Sequence, residues 1–182
     1  MKKIILTVFA ASSLLLYSTQ AFALINFSVG VPLSHTFTGK TTSGADMESD
    51  GSPSGYFIQI GVPLLPGLGM DSYKTKVPCE GCDGDLHVAT TMYNLYYLLP
   101  IPIINLTIGV GTGSTTFKCS GCDAYFDKGS ASQWYASFGM PIIPLFDLHL
   151  SYRSVSSKIK IKSGPEHDLS GNVMGLGIGF NF

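Results

Sequence analysis

The chain has 182 residues, a length that suits one domain, and its formal net charge of -1 gives no electrostatic basis for binding nucleic acid. Hydrophobic residues at 45% exclude an intrinsically disordered chain. Charged residues make up only 13%, about half of their usual share in soluble domains, and glycine, serine, threonine and aromatic residues replace them.

The N-terminus has the three parts of a secretory signal. Two lysines precede an apolar run over residues 4–17, and a small-x-small cleavage site follows at residues 21–23. We therefore predict a cleaved signal peptide over residues 1–23 and one exported domain over residues 24–182. Export places the mature chain in a compartment that permits disulfides.

Large apolar residues alternate with small or polar residues along the mature chain. The last segment is the clearest, because Met174, Leu176 and Ile178 alternate with glycine. Bulky apolar side chains on one strand face and almost nothing on the other suit a barrel with lipid outside and a narrow lumen. The eight such segments cover residues 25–31, 57–62, 68–76, 87–99, 104–111, 134–140, 146–153 and 174–182.

The connections between these segments are of two kinds. Three are short and rich in proline, at residues 62–67, 99–102 and 140–144, and four are polar, at residues 39–54, 77–85, 118–131 and 163–169. Proline lacks the donor that a sheet ladder needs, so we expect tight turns at the first kind. Alternating turns and loops predict an all-β fold, an eight-stranded antiparallel transmembrane β-barrel. The alternative is a secreted or periplasmic β-sandwich, whose exposed strand faces would carry larger polar residues.

The signal, the eight segments and the terminal Phe180 and Phe182 together resemble small eight-stranded outer-membrane barrels of the OmpA, OmpX and OmpW type. The resemblance covers residues 24–182. It implies an integral outer-membrane location, contact with outer-membrane lipid and lipopolysaccharide, and recognition of the two phenylalanines by the outer-membrane assembly machinery. Residues 93–97 (YNLYY) and 152–155 (YRSV) also resemble an uncharacterised family of bacterial outer-membrane barrels.

Four ionisable residues fall at inward positions of the predicted strands: Asp71, Asp147, His149 and Arg153. The guanidinium must be paired if it is buried, because an isolated buried charge is very costly. We expect Asp71 and Asp147 to be the only acids on strands, and the four residues to close the lumen with a polar network. The competing hypothesis is a small-solute pore, or a proton-sensitive gate at His149.

Six lysines face outward at the loop ends of their strands if the alternation continues unbroken: Lys74, Lys76, Lys118, Lys158, Lys160 and Lys162. Lipopolysaccharide phosphates would lie at this height, so we predict that these side chains contact them. The alternative is a solvated collar of charges. One β-bulge would reverse the pattern.

The His149-Leu150-Ser151 sequence resembles the His-x-Ser pair of eight-stranded lipid A deacylases. Its position, close after the third proline-rich turn and facing the lumen, argues against contact with outer-leaflet lipid. We therefore predict a protein without enzymatic activity. A lipid-modifying enzyme remains the second alternative function, after the pore. The favoured function is a structural or surface-interaction role in the outer membrane.

All four cysteines occur in a repeated Cys-x-Gly-Cys-Asp pattern, with Cys79 and Cys82 in the second polar loop and Cys119 and Cys122 in the third. After export, an even number of cysteines on an exposed surface favours disulfides, and we expect each pair to close locally. The alternatives are a four-thiolate zinc site between the two loops and free redox-active thiols. No other cofactor is expected.

Overall fold

The computed structural model describes residues 25–40, 44, 46–62, 64–79, 85–101, 104–120, 122–143, 146–162 and 164–181. The predicted signal peptide, Cys82 and Phe182 lie outside these ranges. Within them, no helix is long and apolar enough to cross a membrane.

Eight long strands form one antiparallel sheet that closes on itself. They are β1 (Asn26–Phe37), β2 (Ser54–Gly61), β3 (Gly67–Val77), β4 (Leu86–Ile101), β5 (Ile104–Lys118), β6 (Gly129–Ile143), β7 (Phe146–Lys160) and β9 (Gly171–Asn181). A three-residue strand, β8 (Glu166–Asp168), and a one-turn helix, α1 (Cys122–Tyr125), lie in the connections. Because β9 pairs with both β7 and β1, the sheet has no open edge between them, and the predicted eight-stranded barrel is confirmed.

The alternation of the sequence sets which side chains face the lumen. In β7, Phe146, Leu148 and Leu150 are exposed on the outer surface, whereas the intervening Asp147 and His149 are buried inside. The predicted parity also holds in β2, β5 and β6. The outward apolar residues form a continuous band around the barrel, which we call the apolar belt.

Beyond the apolar belt, on the loop side, outward and inward positions still alternate. There, however, the polar side chains face outward and the apolar side chains face inward. In β7, Ser156 and Lys158 face outward while Val155 and Ile159 are buried. Polar groups outside and apolar groups inside are typical of a water-exposed sheet. The inversion therefore marks where the barrel wall leaves the apolar belt.

The fourth polar connection, predicted at residues 163–169, contains a strand that we did not expect. Its residues 166–168 form β8, which pairs with the end of β7. In the turn before β8, the amide of Gly164 donates to the carbonyl of Ile161 at 3.1 Å. The expectation that Asp71 and Asp147 are the only strand acids is therefore wrong, since β8 carries Glu166 and Asp168.

Two prolines that we assigned to turns lie within strands. Pro100 pairs with Asn105 at the end of β4, and Pro141 pairs with Asp147 in β6, just before a register shift. Proline is tolerated at a bulge because the ladder is already interrupted there. Strand pairing therefore continues into both of the ranges that we predicted as turns.

The third polar connection is also shorter than the predicted range 118–131, since β6 begins at Gly129 and α1 occupies part of it. In the first strand, a register shift between Pro32 and Ser34 marks a β-bulge. Leu33 and Ser34 are both exposed, so the parity reverses at this point. The bulge thereby turns His35 and Phe37 into the barrel.

Candidate functional site

The lumen is filled by layers of side chains, and the layer nearest the chain termini is built around Asp147. Its Oδ2 accepts hydrogen bonds from Nδ2 of Asn181, at 2.6 Å, and from Nδ2 of Asn105. Asn26 Nδ2 in turn donates to Asn181 Oδ1 at 2.6 Å. These residues come from the terminal ends of β1, β5, β7 and β9, so the layer links four strands across the mouth of the barrel.

The middle layer holds a buried ion pair. Arg153 Nε lies 2.9 Å from Asp71 Oδ2, and the two side chains are 2% and 0% exposed. Gln133 Nε2 donates to the same carboxylate oxygen at 2.6 Å and to Asn94 Oδ1 at 2.6 Å. The guanidinium Cζ also lies 3.4 Å from the centre of the Phe57 ring, a cation–π contact. The only arginine is therefore both paired and stacked.

The four residues predicted to form one network thus form two groups. Arg153 forms its ion pair with Asp71, on the distant strand β3. Asp147 Oδ2 lies 4.0 Å from Nε2 of His149, which is on the same strand. Ser151 stands between the groups and accepts a 2.5 Å hydrogen bond from Arg153 Nη1. The sequence could not assign these partners, because both acids face inward and the barrel register decides which one the arginine reaches.

Inward glycines provide the space that large lumen side chains occupy. A Cβ built on Gly179 would lie 2.3 Å from His149 Nε2, and one on Gly139 would lie 2.7 Å from His149 Cε1. A Cβ on Gly109 would lie 2.4 Å from Tyr135 Cε1. The glycines of the alternating pattern are therefore matched to specific rings, as the narrow interior of a small barrel requires.

A small cavity lies between the two polar layers, with Ser28, Gln59, Ser137, His149 and Arg153 among its lining residues. The cavity has a volume of about 20 Å³, which is enough for a single water molecule. A solute larger than water does not fit.

The His149 and Ser151 pair does not have the arrangement of an activated nucleophile. His149 Nδ1 lies 3.4 Å from the hydroxyl of Ser137, and the Ser151 hydroxyl donates to the carbonyl of Gly175 at 3.2 Å. A serine nucleophile needs a hydrogen bond to its base. The two side chains instead belong to the packed interior.

An apolar cluster occupies the loop end of the lumen. Its buried members are Phe37, Val77, Val88, Phe117, Cys122, Ile159 and Leu169, and Met47, Leu86, Cys119 and Phe126 pack against it. Sequence reasoning missed this cluster, although the inverted alternation at Val155 and Ile159 was a signal for it. The lumen is therefore polar from the chain termini to the Arg153 layer and apolar at its loop end.

Besides the apolar cluster, the sequence also did not indicate that His35 is buried. Its Nδ1 lies 2.8 Å from Thr75 Oγ1, and its ring packs 4.2 Å from the Phe37 ring and edge-on to Tyr73. Regular alternation would have placed His35 on the outer surface. Only the bulge at Pro32 brings it inside.

The predicted outward lysines divide into two kinds. Lys74, Lys118, Lys158, Lys160 and Lys162 are exposed, while contact with lipopolysaccharide stays a prediction. Lys76 also faces outward, but its Nζ lies 2.9 Å from Asp85 Oδ1 and 3.4 Å from Asp50 Oδ2. Its hydrogen bond lowers the pKa of Asp85 below the ordinary range. Carboxylates of the neighbouring loops therefore hold the Lys76 charge.

Cys119 and Cys122 form a disulfide with their Cα atoms 5.2 Å apart, as the favoured pairing predicts. Cys79 is also disulfide-bonded, and Cys82 lies outside the described ranges. Zinc at the four cysteines would need both pairs reduced and stays a prediction. In the part of the chain that the structure describes, no cluster of three or more histidine, cysteine or carboxylate residues could hold a metal ion.

The terminal edge of the apolar belt carries three packed phenylalanines. The ring centre of Phe180 lies 5.0 Å from that of Phe146 and 6.3 Å from that of Phe27. Aromatic girdles at this height are typical of barrels in a membrane. Recognition of Phe180 by the assembly machinery stays a prediction, and Phe182 is outside the described part of the chain.

No protein-family model matches the chain, and no curated protein sequence matches it. Its fold is similar to that of Neisserial surface protein A, with a TM-score of 0.59, 10% identity and coverage of 87% of this chain and 96% of that chain. It is also similar to outer membrane protein W of E. coli, with a TM-score of 0.53, 12% identity and coverage of 88% and 100%. At such identities the likeness concerns the fold, which is that of small outer-membrane barrels.

Proposed function

We propose that the chain is an integral outer-membrane barrel with a sealed lumen, which serves as a structural and surface-interaction platform and neither conducts solutes nor modifies lipid. The observation that carries this proposal is the combination of an apolar exterior with an interior filled by two polar layers and an apolar cluster. The loops, one of them tied by the Cys119–Cys122 disulfide, are the parts available to a partner.

The exterior supports the membrane location. Large apolar residues at 36–66% exposure lie on all eight barrel strands, far more than a monomeric soluble protein exposes. Aromatic residues end the apolar belt on the loop side, at Tyr56 in β2, Tyr93 in β4, Trp134 in β6 and Tyr152 in β7. With the phenylalanines at the other edge, they bracket the belt as interfacial girdles do. Lipopolysaccharide and phospholipid are accordingly the proposed lipid partners.

The interior supports a sealed barrel. A solute would have to displace the Asp147 amide layer, the Arg153 ion pair and then the apolar cluster, which stack along the lumen. The cavity between the polar layers holds no more than water. These layers favour a plug over the small-solute pore and the proton-sensitive gate.

Planar-bilayer recording tests the seal. We expect no stable conductance from the native barrel. Arg153→Ala should also stay silent, since the apolar cluster does not depend on the arginine. Both proteins must first show the boiling-dependent gel shift of a folded barrel. A reproducible single-channel conductance of the folded native protein would contradict the sealed lumen.

A hydrolysis assay tests the absence of lipid-modifying activity. Because His149 and Ser151 are hydrogen-bonded elsewhere, we expect no release of acyl chains from phospholipid or lipid A above the rate of Ser151→Ala. Hydrolysis by the native barrel that the substitution abolishes would support the enzyme instead.

A further inference from the structure

The outer surface just beyond the apolar belt consists of small hydroxyl side chains. They lie on β3 to β7 and are Ser72, Thr91, Thr112, Ser114, Thr116, Ser130, Ser132, Ser154 and Ser156. We call this set the hydroxyl face. The strand register aligns them in rows, since Ser114 lies between Thr91 and Ser130, and Ser132 lies between Thr112 and Ser156.

The reverse side of this wall is buried. Val77, Val88, Phe117 and Ile159 point inward from the same strands and are buried in the apolar cluster. Short side chains on a wall packed from behind present a flat surface. A sheet that merely faces water usually carries long charged side chains. Along β5, Thr112, Ser114 and Thr116 instead occupy every outward position between Val110 and Lys118.

Exposed lysines border the hydroxyl face, and two of them have no carboxylate partner. Lys74 in β3 and Lys118 in β5 are exposed beyond its hydroxyls. Within the described residues, no aspartate or glutamate points outward from β3 to β7. Next to β7, at the other edge of the hydroxyl face, β8 places Glu166 and Asp168 opposite Lys160 and Lys158. Lys76 pairs with Asp50 and Asp85 of the loops. Among the described residues, the lysines beside the hydroxyl face that lie opposite no carboxylate and form no ion pair are therefore Lys74 and Lys118.

The height of these lysines above the apolar belt indicates what they meet. Lys74 follows Met70, the last apolar outward residue of β3, by four residues, and Lys118 follows Val110 of β5 by eight. At about 3.3 Å per residue and a strand tilt of about 40°, they lie on the order of 10–20 Å above the belt. In an outer membrane this is the zone of sugars and their anionic substituents, above the acyl chains.

We propose that the hydroxyl face is a docking surface for the saccharide part of lipopolysaccharide, with Lys74 and Lys118 binding its phosphate or carboxylate groups. Sugar hydroxyls and serine or threonine hydroxyls are both donors and acceptors, so a flat array of one matches the other. The ammonium groups supply charge-assisted hydrogen bonds, which are stronger than those between neutral groups. This inference rests on the proposed outer-membrane location and names the lipid component that the barrel selects.

Protection of a single cysteine locates the contact. Ser132→Cys, in the hydroxyl face, is compared with Thr36→Cys, which is also exposed and lies near the loop end of β1. Each barrel is reconstituted in vesicles that contain phospholipid alone, lipid A, or lipopolysaccharide with its inner-core saccharide. We expect the saccharide to slow maleimide labelling of Ser132→Cys severalfold more than that of Thr36→Cys. Equal slowing at both positions would overturn the proposal.

Charge reversal tests the lysines. Lys74→Glu with Lys118→Glu is compared with Lys40→Glu with Lys128→Glu, which changes the net charge equally at exposed loop positions. Loss of two ion pairs should lower the lipopolysaccharide retained per extracted barrel about tenfold in the first variant. Equal retention in both variants would show that the face does not select saccharide. Their gel shift and outer-membrane fractionation test the proposed location separately.

Discussion

The Arg153–Asp71 ion pair should dominate the stability of the lumen. Both side chains are almost fully buried, and the carboxylate also accepts from Gln133. Removal of one partner leaves the other as an uncompensated buried charge, so Asp71→Asn or Arg153→Met should each lower the free energy of unfolding by about 3–5 kcal/mol. Methionine keeps much of the volume and packs on the Phe57 ring, so the loss reports on charge more than on a cavity.

The double variant separates the pair from its surroundings. Because neither charge is then left alone, Asp71→Asn with Arg153→Met should cost about 2–3 kcal/mol less than the sum of the single variants. Urea unfolding in vesicles can be followed by the fluorescence of Trp134, the only tryptophan, which is 54% exposed on the outer surface. Lys128→Ala, in a loop, serves as the control. Additive losses, or single losses below about 1 kcal/mol, would refute the reasoning.

Two further predictions concern the interior and the loops. Gly109→Ala would bring a Cβ within 2.4 Å of the Tyr135 ring and should cost about 1–3 kcal/mol in the same unfolding assay. The control Gly164→Ala, in a turn, would bring its Cβ no closer than 3.4 Å to Ile161 and should cost little; equal costs would contradict the packing argument. The pKa of Asp85 is lowered by Lys76, so their contact should be complete above the ordinary aspartate pKa of about 4 and be lost as pH falls through the lowered value. An NMR titration checks this, since Lys76→Met should return the Asp85 pKa to its ordinary range; a titration that the substitution leaves unchanged would rule the contact out.

The barrel could be predicted from the sequence because its exterior obeys one rule along every strand. The alternation around Leu148 or Ile178 assigns each side chain to lipid or lumen without any knowledge of tertiary contacts. Local patterns are sufficient for that assignment, since a one-residue slip would expose a whole face.

Lumen contacts could not be predicted in the same way, because they depend on register and on bulges. Asp71 and Arg153 are 82 residues apart and meet only after the sheet has closed. The bulge at Pro32 reverses the parity of β1 and buries His35. The alternation of residues along β1 does not indicate this reversal. The lengths of β7 and β8 likewise depended on pairing at their ends.

Fractionation combined with gel electrophoresis tests most directly whether this chain is an integral outer-membrane barrel. The chain is expressed with its N-terminal segment in a Gram-negative host, the membranes are washed with urea, and the outer-membrane fraction is run with and without boiling. We expect the protein in the washed outer membrane, with a mobility that changes on boiling because the closed sheet of eight strands resists detergent until it is heated. Recovery in the soluble periplasmic fraction, with the same mobility in both lanes, would contradict it.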